Sequence, residues 1–77
     1  MRAQDFKSRF RLLLDDRGWT QKEFSIISGI TQAAVTRYLK GEREPNVSNI
    51  CRICEVTHTT PTWLLGYGPN EPIERMD

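Results

Sequence analysis

Three things are scarce in this 77-residue chain: metal- and redox-competent side chains, long apolar runs, and an excess of charge of either sign. There are two cysteines, Cys51 and Cys54, and one histidine, His58. A C-x-x-C spacing can mark a zinc site or a redox pair. A structural zinc wants four ligands, and neither a second cysteine pair nor a second histidine supplies the rest. Three residues apart on a helix, the two cysteines lie on adjacent faces, so packing is their expected role. His58 reads as a surface loop residue, and no metal or cofactor is expected. No nucleophile, base and oxyanion set can be assembled either, so the chain is not expected to be an enzyme. The absence of any run of about 18 apolar residues excludes a membrane-spanning helix. The opening Met1-Arg2-Ala3-Gln4-Asp5 leads into alternating charge, so no signal peptide is expected and the default compartment is the cytoplasm. Lys and Arg number 11 against 10 Asp and Glu, a net charge of +1. Bulk charge therefore does not announce a nucleic-acid partner, and that case must rest on where the charges sit.

Length limits the reading further. The chain is one small domain, which buries only about 60% of the surface its unfolded form exposes. A deep substrate cavity has little room, and no small-molecule ligand is expected. What is present fits a globular domain: 38% apolar and 27% charged residues. Gly18, Gly29, Gly41 and Gly66 each follow a stretch with helical spacing, as residues just past a helix end do. In residues 5–17, Phe6, Phe10, Leu13 and Leu14 form one helical stripe, with Lys7, Arg9 and Arg11 off it. In 20–28, Thr20 and Glu23 fit a capping box, and Phe24 and Ile27 are expected to point inward. In 31–40, Thr31 is a good N-cap and Val35, Tyr38 and Leu39 supply the apolar face. A fourth helix is expected over 46–56, with Val47, Ile50, Ile53 and Cys54 on one face. Thr60-Pro61 starts a short fifth through Trp63, Leu64 and Leu65 that stops at Gly66. Trp19 and Trp63 read as core anchors, and Asp15-Asp16 as a solvated helix end. The expected fold is all-α, with a domain over 1–67 and a mobile tail over 68–77.

Only Gly29-Ile30 separates the second and third helices. A tight turn containing Gly joins two helices at a steep angle, the helix-turn-helix arrangement. Ser25 is small where the helices approach, Ile30 can plug the turn, and Val35 can pack back on the first helix of the pair. The sequence here resembles the small helix-turn-helix regulators of the phage repressor and Cro type. The residues that carry the resemblance are Thr20-Gln21, Gly29-Ile30-Thr31, Val35, Tyr38-Leu39-Lys40-Gly41, Arg43 and Pro45, with weaker support from Ile50, Ile53 and Pro61-Thr62-Trp63-Leu64-Leu65-Gly66. It covers most of the chain. Thr57 and Thr59 depart from it, standing where larger aliphatic residues are usual. The resemblance implies a lambda-repressor-like five-helix bundle that binds operator DNA, usually as a symmetric dimer, in a bacterial cell or phage-infected host.

Physical reasoning assigns roles beside the resemblance. A major groove about 12 Å wide admits one α-helix, whose N-terminal residues reach base edges. The exposed positions of the third helix are Gln32, Ala33, Thr36, Arg37 and Lys40. Gln32 can pair with adenine and Arg37 with guanine, while Ala33 and the Thr36 methyl can lie on a thymine methyl. Gln21 can bond a phosphate and support Gln32, the role the family's matching Gln implies. Lys22, Thr31, Lys40, Arg43 and Asn46 are the further backbone-contact candidates. No acidic residue falls between Ser25 and Gly41. The length leaves no room for a separate oligomerisation domain, so a homodimer is expected to use Trp63, Leu64 and Tyr67. The competing reading is a protein-interaction module, antitoxin-like or an adaptor, docking through apolar residues near Ile26 and 63–67. Charge favours the first: residues 1–52 carry ten Lys and Arg against six Asp and Glu, and residues 53–77 carry one against four. The basic half contains the third helix.

Overall fold

Residues 5–67 are described by a computed structural model; the expected tail, 68–77, lies outside them. Five helices follow in order, and each begins where a side chain can take up orphan backbone amides. In α1 (Phe6–Arg17), Asp5 accepts from the Ser8 amide at 3.1 Å. That bond holds the Asp5 carboxyl below its ordinary pKa, so the cap is intact near neutrality and is lost as acid protonates it. In α2 (Gln21–Ser28) the capping box is complete: the Glu23 amide donates to Thr20 Oγ1 at 3.0 Å, and the Thr20 amide to Glu23 Oε1 at 2.8 Å. Thr31 caps α3 (Gln32–Lys40), Asn46 caps α4 (Val47–Thr57), and Thr60 with Pro61 starts α5 (Pro61–Leu64). His58 ends α4 in the left-handed region, φ 58°, and is exposed. The described residues form the all-α, five-helix bundle expected.

The core gathers around Phe10. Its ring stacks on Phe6 with centroids 5.3 Å apart and meets Phe24 and Tyr38 edge-on at 5.2 and 6.1 Å. Leu13, Val35, Ile53, Trp63 and Leu64 fill the space between the helices and are fully buried. Arg9, expected off the apolar stripe, is fully buried as well. Its guanidinium lies over the Trp63 ring, 4.7 Å from the centroid, and donates through Nη1 to the Trp63 carbonyl at 2.9 Å. Burial lowers its pKa, yet an arginine stays charged at any ordinary pH.

Other expectations need correction. Ile27 is 45% exposed, because the inward row of the two-turn α2 is Phe24 and Ser28. The Ser28 hydroxyl donates to the Phe24 carbonyl and accepts from the Ile30 amide, so a polar residue is needed there. Val47 is 76% exposed at the first position of α4, beyond the reach of the core. Trp63 and Leu64, expected to face a second copy, have no exposed surface and belong to the chain's own core. Thr57 and Thr59, short where aliphatics are usual, are buried with their hydroxyls 2.8 Å apart. Thr57 also donates to the Ile53 carbonyl, so the pair fills the site with its polarity satisfied.

Four arginines brace helix ends from a distance. Arg52 donates to the Ser28 carbonyl at 3.4 Å, Arg11 to Leu39 at 3.2 Å, Arg17 to Thr57 at 2.6 Å and Arg9 to Trp63 at 2.9 Å. These carbonyls lie in the last turns of α2, α3, α4 and α5. A cation there satisfies an orphan acceptor and meets the negative end of the helix dipole.

Candidate nucleic-acid interface

The turn between α2 and α3 sets the site. The Gly29 amide closes α2 on the Ser25 carbonyl at 2.9 Å, and the Ser25 hydroxyl reaches across the turn to the Ile30 carbonyl at 2.6 Å. Ile30 is buried and plugs the corner. Gly29 holds φ 78°, and a Cβ there would stand 2.9 Å from Arg52 Nη1. The backbone conformation therefore demands glycine, while the Arg52 guanidinium, the far end of a flexible side chain, can swing aside. Gly29→Ala is expected to cost about 1–2 kcal/mol from the left-handed backbone alone. For a domain of this size each kcal/mol lowers Tm by roughly 4–8 °C. Thermal unfolding followed by circular dichroism checks this; an unchanged Tm would show that the turn relaxes freely.

Beyond the turn, Thr31 accepts from the Ala34 amide and starts α3, whose Val35, Tyr38 and Leu39 are buried. Helical geometry then fixes the other side. Gln32, Ala33, Arg37 and Lys40 are exposed and Thr36 is partly covered, so the five fall in one strip along the outer face. Gln21, at the first position of α2, is joined to this strip. The Thr36 hydroxyl donates to Gln21 Oε1 at 2.6 Å. Support for Gln32 was expected from Gln21, but Thr36 is the partner the structure gives it. With its carbonyl engaged, Gln21 keeps its amide N–H groups for an acceptor, and the Thr36 methyl remains for apolar contact.

The remaining backbone-contact candidates are placed less uniformly. Lys22 is exposed on the first turn of α2, and Lys40 and Arg43 are exposed around the end of α3. Asn46 is exposed, with its carbonyl oxygen taken by the Asn49 amide at 2.8 Å. Asn49 in turn donates to the Tyr38 hydroxyl at 2.8 Å, tying the start of α4 to α3. The ion pair among the described residues is Arg17 with Asp16, away from the strip, and none engages Lys22, Arg37, Lys40 or Arg43. Lys7, which the sequence places only off the apolar stripe of the first helix, lines the same cavity as Lys40 and Arg43.

Tyr67 is exposed, unlike Trp63 and Leu64. Cys51 is exposed and Cys54 buried, both as free thiols. Burial pushes the Cys54 thiol up, against a hydrogen bond from Thr59, which makes it a poor nucleophile. Among the described residues no group of three metal-ligating side chains is found, and no helix is long and apolar enough to cross a membrane.

Similarity to known proteins agrees with this geometry. A helix-turn-helix family model matches residues 10–64. A protein of Haemophilus influenzae described as an uncharacterised HTH-type transcriptional regulator is 37% identical over 60 residues, which cover 78% of this chain and 25% of that protein. The chain thus spans about a quarter of this curated relative. A transcriptional regulator from Listeria innocua, solved by crystallography, matches with a TM-score of 0.75 at 20% identity, over 84% of this chain and 61% of the other. That likeness is one of fold. With the family model matched over residues 10–64, most of the chain, the chain belongs to the helix-turn-helix family.

Proposed function

We propose that the chain is a sequence-specific transcriptional repressor of the Cro kind, of phage or prophage origin, acting in the cytoplasm of a bacterial cell or infected host. The observation that carries this reading is the outer strip of α3, with Thr36 tied to Gln21 on α2. Gln32, Ala33, Thr36 and Arg37 read bases from the major groove, Arg37 by a bidentate pair with guanine. Gln21, Lys22, Thr31, Lys40, Arg43 and Asn46 hold the backbone on either side. The protein binds as a homodimer, and two-fold symmetry makes the operator pseudo-palindromic, with half-sites roughly 34 Å apart. Trp63 and Leu64 are inside the fold and Tyr67 is exposed, so of the three we propose Tyr67 alone for the contact between copies. No small molecule, cofactor or metal takes part, and no catalysis is proposed.

Gel-shift titration against random duplex at low and moderate salt tests the reading. Binding should weaken steeply as salt rises, since each neutralised phosphate releases counterions. Arg43→Ala should weaken binding to all sequences alike and lower the log–log salt slope by about 0.9, the share of one phosphate. Absence of binding by the folded protein at low salt would overturn the reading. The protein-interaction alternative is favoured by Ile26, 72% exposed on α2 beside the 45% exposed Ile27. Isolated surface apolar residues are ordinary, so this reading stays second.

A further inference from the structure

Lys7, on the first turn of α1, reaches the far end of α3. Gly41 ends that helix with φ 77°, and a Cβ on it would stand 2.9 Å from Lys7 Cδ and 3.7 Å from both Cε and Nζ. The lysine stem thus occupies the space that a side chain at residue 41 would need. Lys7, Lys40 and Arg43 line one open cavity of about 180 Å³ with Gly41, Asp5 and Glu44. No ion pair within 4 Å joins the two carboxylates to the three cations, although the Lys7 charge is near enough to Asp5 to help lower its pKa. Asp5 is committed to its cap on the Ser8 amide, whereas no hydrogen bond or ion pair engages Glu44 among the described residues. Elsewhere Arg9, Arg11, Arg17 and Arg52 are drawn onto helix-end carbonyls. The cations left over in the described residues are Lys7, Lys22, Arg37, Lys40 and Arg43, and three of the five meet here.

We infer that this cavity seats one backbone phosphate of the bound duplex, that Lys7 is a DNA contact contributed from outside the helix-turn-helix pair, and that Glu44 limits affinity. The inference rests on the proposed DNA-binding function. Three convergent cations outnumber the two carboxylates beside them, and a phosphate placed among them relieves their mutual repulsion. The end of a helix is the negative end of its dipole, so the bland alternative is that Lys7 and Lys40 merely complement α3. A role confined to α3 would show in stability and leave the salt dependence of binding alone.

Fluorescence anisotropy of the full chain on labelled duplex, across a salt series, separates these. Lys7→Gln should lower the log–log salt slope by about 0.9 and weaken binding to every sequence by a similar factor, with base preference unchanged. Lys7→Arg should restore the slope. Glu44→Gln should tighten binding roughly two- to five-fold, the range of an exposed charge interaction, without a change in Tm. An unchanged slope in Lys7→Gln, or unchanged affinity in Glu44→Gln, on a wild-type chain that binds duplex overturns the phosphate seat and leaves the proposed function standing. Failure of the wild-type chain to bind any duplex removes both. Inorganic phosphate at constant ionic strength should leave Tm unmoved; stabilisation of the wild type but not of Lys7→Gln would assign the cavity to free phosphate and overturn the DNA contact.

Discussion

Trp63→Ala is expected to unfold the domain, not to release monomers from a dimer. Trp63 has no exposed surface and forms one wall of the core, with the Arg9 guanidinium 4.7 Å above its ring. Truncating a buried Trp to Ala costs about 3–5 kcal/mol. Domains of ordinary size are stable by only about 5–15 kcal/mol, and one this small belongs near the lower end. The truncation also strips Arg9 of the ring it lies against, leaving a buried cation beside a hole. The cooperative thermal transition should be lost or fall by tens of degrees at roughly 4–8 °C per kcal/mol. Tyr67→Ala, at an exposed position, should leave it nearly intact. Urea denaturation combined with sedimentation decides the matter. A folded, monomeric Trp63→Ala protein would contradict the burial and return Trp63 to an interface.

Arg37→Ala carries the second large effect. Arg37 is exposed on the outer strip of α3 with no ion pair among the described residues. A bidentate arginine–guanine contact discriminates by about 1–3 kcal/mol, or roughly 5- to 150-fold in affinity. Its removal should flatten base preference at one position in each half-site and leave the other positions as they were. Arg43→Ala should do the reverse, weakening all sequences without changing their rank. Binding of both variants to a panel of single-base operator changes makes the comparison. The same pattern from both would mean that α3 does not divide base reading from backbone contact as proposed.

The helices were legible because their boundaries are local. Thr20 with Glu23, Thr31 and Thr60-Pro61 mark starts, and Gly18, Gly29 and Gly41 mark ends, each through bonds to residues three or four positions away. The outer strip of α3 was legible for a related reason. Once Val35, Tyr38 and Leu39 are inside, the period of the helix leaves Gln32, Ala33, Arg37 and Lys40 outside. What periodicity could not give depends on distant partners. Arg9 is buried because the Trp63 ring and carbonyl, 54 residues on, receive it. Thr57 and Thr59 replace aliphatics because each satisfies the other. Trp63 and Leu64 lie on a helix of four residues, too short for its pattern to show which side faces in. Gln21 meets Thr36 fifteen residues away across the turn.

The near-balance of charge also has a structural sense. Four arginines of the basic half donate to helix-end carbonyls, while Arg37, Lys40 and Arg43 remain exposed along and beyond α3. A low net charge therefore coexists with a concentrated basic surface, and affinity should lean on base contacts and on pairing two subunits more than on bulk attraction.

Selection of binding sites from a random duplex library by the wild-type chain tests sequence-specific recognition most directly. The prediction is enrichment of two related half-sites about one helical turn apart, each with a guanine whose preference disappears when the selection is repeated with Arg37→Ala. A folded wild-type chain that enriches no sequence over the starting library would contradict it.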